Sequence, residues 1–241
     1  MDLLSPPLKT VIPGTLNIVA SDFDARPMSY VVDGLHLGYE PDVARAVCQR
    51  LGLNPVWHNL PMAKFYPSLQ TGKYDLVWFN QAITPERQAW ANFTRPYGYF
   101  DEAVLVRVES TASSPAELAG LRVGGLADST NLALAASFAD AQIVPFPGSD
   151  NVLPEMLQAL RTGEIDALVD DELVLLVAAE EDPRLKIAFS VPTQVPFGIA
   201  VCPGQPELVD ALNATLSDLI ADGTLLQLWS HWIPWKPFPL R

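Results

Sequence analysis

Basic residues are scarce in this sequence, with 15 Lys and Arg against 28 Asp and Glu and a formal net charge of −13. Nucleic acids and anionic membranes are gripped by clustered Lys and Arg, so the balance argues against both and describes an acidic, soluble surface. Histidine is nearly missing. His36, His58 and His231 have no ligand-type spacing, and neither a metal site nor a cofactor is expected. Long apolar runs are missing as well: none approaches the roughly 18 to 20 residues that span a bilayer. The N-terminus MDLLSPPLKTVIPG lacks the basic-then-apolar order of a signal peptide, so the chain as written is expected to be soluble, as a mature form with its signal removed would be. Cysteine occurs only at Cys48 and Cys202, and Cys48 shares an apolar helix face with Val43, Val47 and Leu51. That placement favours a buried free thiol over a disulfide between the two.

What the chain does have is apolar substance and an internal repeat. Its 241 residues are 49% hydrophobic, enough for one large core or two modest ones. The stretch LQTGKYDLVW from Leu69 returns as LRTGEIDALV from Leu160, 91 positions later. Both copies read Leu-x-Thr-Gly-x-x-Asp followed by apolar residues. In each, a helix ends at a Gly that takes positive φ, two residues pass, and an Asp opens a short apolar run of buried-strand type. A helix-to-strand unit used twice predicts two similar α/β lobes with a cleft between them.

Taken in order, Thr15 to Ala20 reads as a first strand, and SDFDARP after it as a turn-rich loop with two carboxylates at a strand end, where ligand-binding loops sit. GYEPDVARAVCQRLGL reads as a helix, with Pro41 in its first turn, apolar residues at i, i+3, i+4, and Gly52 ending it. Asn54 to His58 and Asp75 to Phe79 are expected strands. Thr84-Pro85-Glu86-Arg87 is a helix start in which Thr caps, Pro takes the first position and Glu complements the dipole. Arg87 opposes that dipole, which makes sense if an anion binds there; an Arg paired with Glu86 or a surface carboxylate is the plainer alternative.

Asp101 to Glu109 leaves the first lobe as an extended run, the polar joint TASSPAELAG is expected to hold one hinge, and PTQVPFGIAVC the second. The expected segmentation is residues 1–106 with 197–241 as lobe 1 and 107–196 as lobe 2. LRVGGLA opens the second lobe as a strand, and the turn Asp128-Ser129-Thr130-Asn131 follows, its hydroxyls capping the helix LALAASFADA. Helix starts of this kind bind anions through free backbone N–H groups, and a simple capping turn is the alternative. Glu180-Glu181-Asp182 reads as a solvated turn. Trp229 and Trp232 read as core anchors in the second of two C-terminal amphipathic helices.

Used as a ruler, the repeat pairs Asn80 with Asp171, each five positions after the strand-opening Asp and each at the carboxyl end of a strand. Ligands of open α/β sheets bind at those ends. Asp170 and Glu172 flank the second position, alternation turns only one face of the acidic trio inward, and Asp171 is the expected one; a solvent-facing acidic loop is the alternative. An Arg at a helix start on one lobe and a carboxylate at a strand end on the other are the pair a zwitterion requires.

In combination and in this order, the blocks GYEPDVARAVCQRLGL, PSLQTGKYDLVW, ITPERQAWANFTRPY, LRTGEIDALVDD and ELVDALNATLSDLIADGTLLQLWSHW resemble the polar-amino-acid class of periplasmic solute-binding proteins of ABC importers, solute-binding protein family 3. The resemblance implies an α/β, two-lobe periplasmic binding protein fold of type II with two hinge crossovers, the C-terminal segment completing the first lobe. It implies that Arg87, in the Thr-x-x-Arg motif, holds a ligand α-carboxylate and that Asp171 holds its amine. It further implies a hydroxyl contact from Thr130, with Ser129 beside it, and a first-loop contact from Asp22.

Other positions depart from the family pattern. The Ser or Thr usually found shortly before Thr84 is Ala82, which removes one hydrogen bond to the amine. The first-loop aromatic appears as Ala25, with Phe23 and Tyr30 near enough to substitute. The usual Gly before the hydroxyls is Asp128, and Phe79 replaces a small residue beside Asn80. These departures point to an atypical ligand, a cationic or modified amino acid or related amine. The expectation is a periplasmic, monomeric receptor that binds a small molecule and presents it to a membrane permease without catalysis. Two alternatives share the scaffold: an enzyme of the cyclohexadienyl dehydratase kind, with Asp128, Asp171 or Glu172 as general acid, and the ligand-binding module of a signalling receptor.

Overall fold

Two five-stranded sheets carry the fold. The structure is a computed structural model that describes residues 8–240; the reading of the N-terminus as lacking a signal falls largely on residues 1–7, outside the described residues. From the N-terminal side the chain forms β1 (Thr15–Ala20), a hairpin of β2 (Tyr30–Val32) and β3 (Leu35–Leu37), α1 (Tyr39–Leu51), β4 (Asn54–Asn59), α2 (Phe65–Leu69), β5 (Leu76–Val77), α3 (Pro85–Gln88) and β6 (Asn92–Phe93). There follow β7 (Gly98–Arg107), β8 (Arg122–Leu126), α4 (Thr130–Ala135), β9 (Gln142–Phe146), α5 (Val152–Thr162), β10 (Ala167–Asp171), α6 (Glu172–Glu181) and β11 (Leu185–Phe197). The chain closes with β12 (Ala200–Val201), α7 (Pro206–Ala221) and α8 (Thr224–Trp232).

The first sheet has the order β4-β1-β5-β12-β6 and the second β9-β8-β10-β7-β11. In each, three parallel strands are followed by an antiparallel one: β1 runs parallel to β4 and β5, and β12 antiparallel to β5. Likewise β8 runs parallel to β9 and β10, and β7 antiparallel to β10. The repeat strands β5 and β10 hold the same middle place. In β1 every residue after Thr15 is buried, as a parallel strand covered on both faces requires. Each such aliphatic side chain contributes roughly 1.5 to 3 kcal/mol on burial. Helix α1 packs against α7 and α8 over the first sheet, and Trp229 of α8 is buried with its ring edge-on to Tyr39 at 5.2 Å.

The chain divides into two compact units, the first made of residues 8–21, 39–98 and 197–240, the second of 22–38 and 99–196. The expected segmentation differs over 22–38 and 99–106, which group with the second unit. The reason lies in β7, which pairs with β10 without interruption from Glu102 to Val106 and so belongs to the second sheet. The joint TASSPAELAG, expected to hold a hinge, lies inside the second unit. The chain instead passes out of the first unit after Gly98 and returns at Phe197, within the expected second joint. Phe197 is fully buried, and its ring stands where a side chain on residue 98 would begin, 2.1 Å from an ideal Cβ there.

Two smaller expectations also change. Asp182 is no part of a solvated turn: it is 6% exposed and holds Arg161 at 2.7 Å and Arg184 at 2.8 Å, and those guanidinium groups depress its pKa. Cys48 and Cys202 are both free, Cys48 buried as expected and Cys202 partly buried with its thiol on the Leu69 carbonyl oxygen.

Candidate functional site

In the first unit the stretch from Phe79 to Arg87 is built by a strand end and a short helix. Strand β5 stops at Val77, and Asn80 then takes left-handed backbone, φ +46°. Helix α3 starts as the sequence predicts, with Pro85 in its first turn and the Thr84 hydroxyl accepting the Arg87 N–H at 3.2 Å. The Arg87 side chain folds back so that one Nη donates to the Ala82 carbonyl oxygen at 3.3 Å while the guanidinium carbon lies 6.0 Å from the centre of the Tyr66 ring. Tyr66 in turn donates its hydroxyl to Gln81 Oε1 at 2.7 Å; burial pushes that hydroxyl's pKa up to about 12 against the pull of Arg87. Arg87 itself is partly exposed and forms no ion pair with a carboxylate among the described residues. Pairing with Glu86 is therefore absent.

Ala82 is buried and bridged to Phe197, so its contribution here is a carbonyl oxygen. Phe79 is buried with its ring edge-on to Phe65 at 6.0 Å, a position in the core of the first unit. The Asn80 N–H donates to Glu40 at 2.8 Å, and its side-chain Oδ1 is buried without a hydrogen-bond partner.

In the second unit, β10 delivers Asp170 and Asp171, both buried, at the point where α6 begins. Their carboxylates meet one amide: Asn131 Nδ2 donates to Asp170 at 2.8 Å and to Asp171 at 3.3 Å. The Asp171 N–H also donates to the Asp170 carboxylate at 2.8 Å. Burial raises the pKa of Asp170, and these two donors oppose the rise. The alternation expected to turn only Asp171 inward thus overlooks that Asp170 is buried too. Ser129 caps α4, accepting the Leu132 N–H at 3.0 Å and donating to the Leu126 carbonyl oxygen at 2.7 Å, the simple capping turn named above. Thr130, the first residue of α4, is partly exposed. Asp128 is exposed and left-handed, φ +60°, which explains why a Gly suits this place.

The first loop groups with the second unit. Phe23 is buried there, Asp22 is partly exposed, and Arg26 stacks over Tyr30 at 4.6 Å. A cavity of about 530 Å³ in this unit is walled by Leu153, Leu157, Val174 and Val177 and edged by Arg26 and Arg161. Neither Thr130 nor Asp171 lines it, so it is not where the sequence-predicted groups of this unit gather. Sequence reasoning missed Glu40, Tyr66 and Asn131. A signal existed only for Asn131, an amide beside capping residues on an otherwise apolar helix.

Each set has its own chemistry. A guanidinium without a carboxylate partner presents planar N–H donors suited to a carboxylate, and a pair of buried carboxylates offers acceptors for an ammonium or guanidinium group.

Comparison with known proteins identifies a family. The family model of bacterial extracellular solute-binding proteins, family 3, matches residues 18–234. The ABC transporter arginine-binding protein 1 of Escherichia coli (strain K12) is 29% identical over 204 residues, covering 82% of each chain. The structure of an ancestral arginine-binding protein bound to arginine superposes with a TM-score of 0.84 at 29% identity, covering 91% of this chain and 98% of that one. The amino acid ABC transporter substrate-binding protein AbpA from Streptococcus pneumoniae, bound to L-arginine, does so with a TM-score of 0.80 at 26% identity, covering 90% and 94%.

Proposed function

The chain belongs to the bacterial extracellular solute-binding proteins, family 3, and on that premise we propose that it captures an amino acid with a cationic side chain, of the arginine type, in the periplasm. It acts as a monomeric receptor for an ABC permease, by binding alone and without catalysis. Arg87 takes the ligand α-carboxylate, Asp171 its ammonium, and Thr130 and Asp22 add polar contacts. Asn80 offers a further acceptor.

Arg87 is the observation that carries this reading. Seven other arginines, Arg26, Arg45, Arg50, Arg107, Arg122, Arg161 and Arg184, are ion-paired within the protein and the Arg95 side chain donates to the Ser217 hydroxyl, whereas Arg87 is oriented by a ring and a carbonyl oxygen. The cationic side chain is supported by the surplus of acid, with Asp170 buried next to Asp171, and by the relatives named for arginine.

Isothermal titration with L-arginine, L-glutamine and L-histidine tests the reading. L-arginine is expected to bind, and Arg87→Ala to weaken it by about 2 to 4 kcal/mol, the usual loss on truncating one partner of a desolvated charge pair. Stabilisation by sugars or dicarboxylates alone, or unchanged affinity in Arg87→Ala, would overturn it.

A further inference from the structure

Glu40 lies in the first turn of α1, is 1% exposed, and has no cation among its partners. An acid in such a place is costly unless hydrogen-bonded. Two donors answer it, both far away in sequence. The Tyr97 hydroxyl donates to Oε1, and the Asn80 N–H donates to Oε2 at 2.8 Å. Tyr39, the neighbouring residue, donates its own hydroxyl to the Tyr97 carbonyl oxygen at 3.2 Å, so the groups facing Glu40 are the two tyrosines and the Asn80 amide. Burial lifts the carboxyl pKa to about 7, and the two hydrogen bonds hold it from rising further.

Helix α1 does not need this acid for its own start, because Asp42 already complements the positive end of the dipole. The beneficiary is the other end of the hydrogen bond. Asn80 is past the last ladder residue of β5, so its N–H has no strand partner, and it sits in left-handed backbone that a non-glycine residue adopts only at a cost. Its Oδ1 is buried and unbonded. Something must hold this turn, and Glu40 is the group that grips it.

We propose that Glu40 is a positioning residue for ligand binding: by accepting the Asn80 N–H it fixes the left-handed turn that keeps the Asn80 side-chain oxygen unbonded and available to a ligand N–H. The ligand part of this inference rests on the amino-acid reading above; the Glu40 to Asn80 link does not. Ionised Glu40 accepts from both donors. The neutral acid has one oxygen less to offer, which loosens the turn as pH falls below about 7.

The test combines amide NMR on the unliganded protein with L-arginine titrations of the wild type, Glu40→Gln and Glu40→Leu. The Asn80 amide proton of the wild type is expected to shift with pH around a midpoint near 7, and the shift to vanish in Glu40→Gln, which keeps an acceptor but cannot titrate. Affinity for L-arginine is expected to fall about tenfold or more in Glu40→Leu, a loss of roughly 1.4 kcal/mol, and to recover in part in Glu40→Gln, to the level of the wild type with Glu40 protonated. Between pH 6 and 8 the wild type should bind more tightly at the higher pH and Glu40→Gln should bind evenly. A folded Glu40→Leu protein with wild-type affinity, or an Asn80 amide indifferent to pH, would sink the proposal. If the wild type does not bind L-arginine, the ligand reading falls, and the amide titration still decides the link.

Discussion

In the first copy of the repeat the strand-opening Asp75 is wholly buried, whereas in the second Asp166 is partly exposed between two arginines. Their backbone task is the same. The Asp75 N–H donates to the Asn17 carbonyl oxygen and its Oδ2 accepts the Asn17 N–H; the Asp166 N–H donates to the Arg122 carbonyl oxygen and its Oδ2 accepts the Arg122 N–H. Each carboxylate thereby pins the start of the middle strand to its parallel neighbour. The charge is handled differently. Asp75 is satisfied by dipoles, adding the Val11 N–H at 2.7 Å and the Asn17 amide at 3.2 Å. Asp166 is satisfied by cations, with Arg122 at 2.8 Å and Arg107 at 3.5 Å. One backbone device tolerates two electrostatic environments, so what the repeat conserves is geometry and not charge.

The contrast makes the first copy the more fragile. Asp75→Leu is expected to cost about 3 to 5 kcal/mol in urea unfolding, because it strands buried N–H donors that water cannot reach. An equal cost for Asp166→Leu would erase the distinction between the two copies.

Asp166→Asn is expected to cost less, about 1 to 2 kcal/mol at neutral pH, since the amide keeps one acceptor for the Arg122 N–H. Its effect should also depend on pH. Hydrogen bonds from Arg122 hold the Asp166 pKa down to about 2, below the roughly 3.9 of an unfolded Asp. The stabilisation is thus complete above about pH 4 and lost as pH falls toward 2. The difference in melting temperature between wild type and Asp166→Asn should shrink across that window; a constant difference would place the interaction elsewhere.

Five residues past each Asp the copies diverge, with Asn80 in left-handed backbone and Asp171 at φ −53°, ψ 129°. Asn80→Gly relieves the unfavourable conformation, and stability is expected to change least of all, by about 0.5 kcal/mol upward. L-arginine affinity should fall in the same variant. A loss of stability would mean that the Asn80 side chain, and not the turn, supports the fold.

Local punctuation was legible in the sequence. Gly72 and Gly163 both take the positive φ that the repeat demands, at 68° and 77°, and Thr84-Pro85 starts α3 as its residue types dictate. Arg87 was legible for the same reason, as a cation in a first turn that local chemistry does not call for. Glu40 was not legible, because its partners lie 40 and 57 positions away and inside α1 it looks like any acid of a first turn. Tyr66 and the burial of Asp170 were hidden likewise, since both are set by tertiary contacts. The extent of β7 escaped because Gly98, its first residue, is no strand former; its place is secured by Phe197.

That last contact constrains how the sequence can vary. Gly98 and Phe197 stand where the chain leaves the first unit for the second time and where it last returns, and the ring of one occupies the volume denied to the other. Neither position is free to drift alone: any side chain at 98 requires a smaller one at 197. The two junctions, 99 positions apart in sequence, are therefore coupled by sterics.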